Sequence, residues 1–194
     1  MFQLLRNGIE ISRHPFKGVY VCVVGKPRKH SSTHQPVEVI CTLRDGPDSE
    51  EDEDSSGFRR GKYVPITLTY RGSQSVLRPW DPYSCAMAAA IHNRLLHFPV
   101  RPGHGIFALD CSLQTLSHLA DIVGSSGRLI GVIDVNHPQR PSPTELRHFF
   151  RRHPTVFVMI EDPQAATLEK YERLLSLPKN SCYAFLMGLH PRLG

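Results

Sequence analysis

Residues 104–124, "HGIFALDCSLQTLSHLADIVG", decide the fold. Gly105 to Leu109 read as a buried strand, and Asp110-Cys111-Ser112 makes a short turn. Leu113, Leu116, Ala120 and Val123 then recur at helical spacing on one face. A strand, a tight turn and a helix in this order form the unit that cradles nucleotide-like ligands. That turn ordinarily uses glycine, because the backbone bends sharply and comes close to the ligand. No glycine occurs between Gly105 and Gly124. The stretch predicts an α/β unit whose ligand turn has been altered.

The pattern repeats toward the C-terminus. "RLIGVIDV" (128–135) reads as a second strand, "TVFVMI" (155–160) as a third and "CYAFLM" (182–187) as a fourth. The helix after the second strand has a sharp start: Ser142 as N-cap, Pro143 at the first helical position and Glu145 three after the cap. Another helix is expected over 165–177. Apolar strands joined by helices imply a parallel sheet covered on both faces, and right-handed crossovers make it doubly wound. The expected fold class is α/β: a small N-terminal β domain, residues 1–79, followed by a partial Rossmann-like doubly wound parallel sheet, residues 80–194. The second part opens on a helix over 83–98, with Met87, Ile91 and Leu95 on one face.

Residues 1–79 read as β because 17–25, 37–43 and 63–72 are rich in Val, Ile, Tyr and Thr between turn residues. Residues 46–57 interrupt them. Six acids within seven positions cannot pack, so a solvated, disordered loop is expected, with Ser49 as a possible acid-directed phosphorylation site. Gly25 to His30 form a basic loop. Of 194 residues 40% are apolar, enough for a packed core, and the formal charge of +5 is compatible with nucleic acid without pointing to it. The five cysteines show no CxxC spacing, and buried free thiols are expected. Eleven histidines show neither HxH nor HExxH spacing, so no metal is expected. No apolar run approaches the roughly 18 residues of a membrane helix, and the N-terminus lacks a signal peptide's apolar stretch. A soluble intracellular protein follows as the expectation.

Several motifs occur in a fixed order: Trp80-Asp81-Pro82-Tyr83, the run Ala88-Ala89-Ala90-Ile91, Arg101-Pro102-Gly103, and Ser117-His118 through Gly124. Asn136-His137 follows the second strand, Ile160-Glu161-Asp162 ends the third, and "HPFKGVYVC" lies at 14–22. Together they resemble the fibrillarin family, the S-adenosylmethionine-dependent 2'-O-methyltransferases of box C/D ribonucleoprotein particles. The resemblance covers nearly the whole chain. It implies a methyltransferase-type sheet, S-adenosyl-L-methionine as cofactor, box C/D RNA and a Nop56/Nop58-type scaffold protein as partners, and a nucleolar location in the nucleus.

The departures bear on activity. The family's catalytic lysine on the first helix aligns with Ala86, and its aspartate at the end of strand four aligns with Met187. The first glycine of its cofactor turn aligns with Asp110, and one residue is missing before Thr115. A carboxylate there would face the methionine end of the cofactor and repel its like charge. Thr115, Asp134, Val135, Asp162 and Pro163 remain as weak or vestigial cofactor contacts, with Asp134 suited to the ribose hydroxyls. Three readings stay open: a non-catalytic component of the rRNA- and snoRNA-processing machinery, an active RNA 2'-O-methyltransferase with altered residues, and a truncated copy with no role of its own. Strand four, 182–187, would lie at an edge of the sheet and invite pairing with itself or a partner.

Overall fold

The computed structural model describes residues 4–6, 9–24, 37–45, 65–70, 72–134, 136, 140–161 and 183–187. The chain divides into two compact units, the first running to Phe98 and the second starting at Pro99. The expected division fell at 79/80, so the first helix groups with the N-terminal unit instead.

The first unit is an antiparallel sheet. Its strands are β1 (Leu4–Arg6), β2 (Ile9–Arg13), β3 (Val19–Val24), β4 (Val37–Asp45), β5 (Ile66–Tyr70) and β6 (Ser73–Pro79). They lie in the order β1-β2-β3-β4-β6-β5. Alternation along each strand sends Ile11, Cys22, Val39, Cys41 and Leu77 into one core, with Ile9, Tyr20, Leu43, Ile66 and Leu68 packed against it. The single strand expected over 63–72 is one arm of a hairpin. The chain turns at Gly72, which takes a left-handed φ of 82°, and β6 returns against β5 with Ser73 opposite Tyr70. Cys22 and Cys41 are free thiols whose sulfurs lie 3.4 Å apart, and Cys85 and Cys111 are free and buried as well. The hydrogen bond to Cys22, then burial, hold the Cys41 thiol well above its ordinary pKa.

Helix α1 (Ala86–His92) closes this unit. It is shorter than the expected 83–98. The amide of Leu95 donates to the carbonyl of Ala90 (2.9 Å) and that of Arg94 to Ile91 (3.0 Å), the paired bonds of a Schellman stop. Arg94 fills the left-handed position, φ 62°, that glycine usually takes. Leu95, expected on the buried face, is exposed together with Leu96.

The second unit is built from β7 (Gly105–Leu109), α2 (Leu113–Val123), β8 (Arg128–Asp134), α3 (Pro143–Arg152), β9 (Val156–Glu161) and β10 (Tyr183–Met187). The strands are parallel in the order β10-β7-β8-β9. Among the described residues β10 and β9 are the edges. Helix α2 was expected to bury one face. It buries almost its whole circumference: Leu113, Leu116, Ala120 and Val123, and also Thr115, Ser117, His118, Leu119 and Ile122. Leu116 reaches β8 where Gly131 leaves room; a Cβ on Gly131 would come within 2.5 Å of Leu116 Cδ1. The segments 46–57, Gly25 to His30 and 165–177 lie outside the described residues.

Candidate functional site

Strand order places the site. The chain runs outward from β7 through β8 to β9, whereas β10 lies on the other side of β7. The connections therefore part company between β7 and β10, and the carboxyl ends of strands at such a switch point form a crevice where α/β proteins take their ligands. Met187, the last residue of β10, is level with Leu109, the last of β7, and Leu109 is level with Val132 of β8. Asp110 and Asp134 follow within two residues of that line.

The β7–α2 turn is built by short-range bonds. Asp110 has φ 54°, in the left-handed region, and its amide donates to the Val132 carbonyl at 2.8 Å. That conformation costs an L-residue energy that glycine avoids, and aspartate tolerates it better than most. The backbone of the turn thus has the course a glycine would give it, while a β-carbon and a carboxyl group have been added. Cys111 is buried, and its thiol donates to the Leu109 carbonyl at 3.6 Å. Ser112 caps α2: its Oγ accepts the Thr115 amide at 3.2 Å and lies 3.0 Å from Thr115 Oγ1. Thr115 is therefore a buried part of the helix's own cap, its hydroxyl beside that of Ser112.

Asp134 ends β8 half-buried, and its Oδ1 accepts the Asn136 amide at 2.8 Å, an Asx turn. This bond fixes the direction of the carboxyl group. Asp110 and Asp134 are thus brought to the same ends of adjacent strands. Val135, Asp162 and Pro163 lie outside the described residues. Ala86 belongs to the first unit, as the exposed first residue of α1. Before it, Trp80 is fully buried and its amide donates to Ile40, while Asp81 Oδ1 receives the Tyr83 amide at 2.9 Å and leaves the Tyr83 ring in solvent.

One polar pair went unread in the sequence. Ser117 Oγ lies 2.9 Å from His153 Nε2, both buried, joining the middle of α2 to the end of α3. The ring of Phe149 packs on His153 with centroids 5.0 Å apart. The available signal was a Ser-His pair amid the apolar positions Leu113, Leu116, Leu119 and Ala120, which indicates a buried partner without saying where it comes from.

Residues 60–179 match the family model for fibrillarin. A fibrillarin-like rRNA/tRNA 2'-O-methyltransferase of Thermococcus onnurineus is 45% identical over 125 residues, which is 64% of this chain and 46% of the relative. The protein of the same name from Pyrococcus furiosus is 29% identical over 125 residues, 64% of this chain and 45% of the relative. The crystal structure of Aeropyrum pernix fibrillarin with natively bound S-adenosyl-L-methionine superposes with a TM-score of 0.52 at 26% identity, over 84% of this chain and 60% of that one. The chain spans about half the length of the curated relatives it matches.

Proposed function

The chain belongs to the fibrillarin family, and from that premise we propose that it serves rRNA and snoRNA processing as a non-catalytic component beside the 2'-O-methylation machinery. The observation that carries this reading is the pair Ala86 and Met187. By resemblance these positions hold the family's lysine and aspartate, and neither a methyl group nor a thioether can hold or move a proton. Positioned acid and base groups contribute on the order of 10²–10⁴-fold each.

The cofactor side of the site supports the same reading. The Aeropyrum pernix relative was solved with S-adenosyl-L-methionine, and by that likeness the β7–α2 turn is where this chain would take it. Asp134 suits the ribose hydroxyls. Asp110 does not suit the methionine end, because its side chain occupies the space that glycine would leave open and carries a like charge toward a carboxylate. We assign this chain weak binding at most, and derive no step through the cofactor. The nucleolus, box C/D RNA and a Nop-type scaffold are the setting that the resemblance implies.

The test is methyl transfer from tritiated S-adenosyl-L-methionine to guide-paired RNA, run beside calorimetry with the cofactor and a pull-down with the scaffold protein. Background counts, binding no tighter than about millimolar and retention by the scaffold are expected. Turnover above background would establish the second reading of an active methyltransferase, which Asp134 and its fixed carboxyl group favour; micromolar cofactor affinity would overturn the assignment of weak binding.

A further inference from the structure

Cys22 on β3 and Cys41 on β4 are both buried, and the thiol of Cys41 donates to the sulfur of Cys22 at 3.4 Å. A single free cysteine packs in a core as a small hydrophobe and calls for no further account. Two sulfurs brought together from neighbouring strands form a dithiol. Their hydrogen bond divides the roles. It favours the thiolate of Cys22, drawing that thiol below its ordinary pKa although burial opposes this, and it keeps Cys41 protonated. The thiolate is the reactive form, so Cys22 is the sulfur that reacts first.

The cover over the pair is thin. Ile9, Tyr20, Leu43, Ile66 and Leu68, which pack against this core, are themselves only partly buried. Hydrogen peroxide is neutral and hardly larger than water, so small movements of these side chains admit it and keep bulkier reagents out.

We propose that Cys22 and Cys41 are a peroxide-sensitive modification site that closes reversibly into a disulfide between β3 and β4. The Cys22 thiolate attacks one oxygen of hydrogen peroxide: an S–O bond forms, the O–O bond breaks, and hydroxide leaves to take up the proton that Cys22 released. The Cys41 sulfur then attacks the sulfenic acid on Cys22. The S–S bond forms, the S–O bond breaks, and the departing hydroxide takes the Cys41 proton. The two sulfurs lose two electrons between them, and one peroxide becomes two waters. This site lies in the first unit and is independent of the reading given to the β7–α2 turn.

The register gives the bond a consequence. Cys22 is level with Val39 and Cys41 with Tyr20, so the two cysteines are diagonal across the ladder. Diagonal neighbours stand about 7–8 Å apart, whereas a disulfide holds its Cα atoms within about 7 Å. Closing the bond therefore draws β3 and β4 together locally, and a bond closed against its surroundings is one that thiols reopen. Beside Cys41, the Ile40 carbonyl accepts the amide of Trp80 at 2.7 Å, and Cys41 itself is level with Pro79. Trp80 is fully buried and is the one tryptophan of the chain, so its emission reads the movement.

The test takes the whole chain, reduced and freed of reductant, and titrates it with hydrogen peroxide. Mass spectrometry of the digest should show the peptides of Cys22 and Cys41 joined, with the mass of two hydrogens lost. Trp80 emission should change over the same peroxide range, and reduced glutathione should reverse both. Cys41→Ser keeps a hydroxyl to donate to Cys22 and removes the second sulfur, so oxidation should stop at a sulfenic acid on Cys22 that dimedone traps. In Cys22→Ser, Cys41 should react at least about tenfold more slowly, because it stays protonated. The linked peptide is read on the unaltered chain, so the test stands even where a serine in this core unfolds the sheet. Absence of the link, a link joining two molecules, or a link formed only in urea that unfolds the sheet overturns the proposal. A link that glutathione leaves closed overturns the reversible site in favour of a structural bond.

Discussion

Helices α2 and α3 begin alike and are held differently. Ser112 and Ser142 have nearly the same backbone angles, φ −63°, ψ 156° and φ −71°, ψ 160°, and each accepts the amide three residues on at 3.2 Å. Ahead of Ser142 stands buried Pro141, and Glu145 completes a capping box. Ahead of Ser112 stands a left-handed aspartate, and the third helical residue is a threonine that bonds the capping hydroxyl. Beyond the caps, α2 buries nine residues and α3 one. Caps are local devices and follow from a few neighbouring residues. A left-handed non-glycine at a strand end is sustained by the surrounding fold. The strain sits at the carboxyl ends of the strands, where α/β proteins take their ligands, which is why the comparison bears on function.

The largest expected effect tests the tighter seating of α2. Gly131→Ala drives a Cβ to within 2.5 Å of Leu116 Cδ1, and Leu116 is fully buried, so its side chain has to shift inside a packed core. Overpacking of this kind should cost about 2–3 kcal/mol in urea unfolding. A loss under about 0.5 kcal/mol would place α2 among the loosely held helices and break the contrast.

Ser117→Ala comes next. It deletes the 2.9 Å bond to buried His153, and a buried imidazole that loses a partner should cost about 1–2 kcal/mol. The paired caps give the third test. Ser112→Ala and Ser142→Ala should each cost about 1 kcal/mol. Equal losses would confirm that the two caps act independently of what surrounds them, and a much larger loss at Ser112 would show that the strained turn leans on its cap.

The smallest effect carries the opposite sign. Asp110→Gly relieves a φ of 54° and should stabilise the protein by about 0.5–1 kcal/mol. The same variant should tighten S-adenosyl-L-methionine in calorimetry, since it also removes the β-carbon and the charge. Stabilisation without tighter binding would separate the strain from the ligand and cast the residue as a purely conformational substitution.

The sequence made the second unit far more legible than the first. Parallel strands buried on both faces appear as unbroken apolar runs, so β7 was placed at Gly105–Leu109 and α3 was located from Ser142, Pro143 and Glu145 alone. In the first unit β5 and β6 merged because the turn at Gly72 is too short to interrupt a β-rich composition. The end of α1 was hidden because its Schellman position is filled by Arg94 rather than glycine. At the site, the residue types at Asp110, Ser112 and Asp134 were visible. What each hydroxyl and carboxyl group was already bonded to depended on backbone angles that residue identity does not set. The partnership of Ser117 with His153 joins residues 36 apart, and no local pattern encodes it.

That separation matters for the order in which the protein assembles. The caps at Ser112 and Ser142 close over three residues and can form as soon as their helices do. The bond between Ser117 and His153 has to wait for β8 and the whole of α3 to be in place, because closing so long a loop costs entropy before the bond can form. It engages later than either cap, so its loss should shorten the lifetime of the native state and leave the speed of folding nearly untouched.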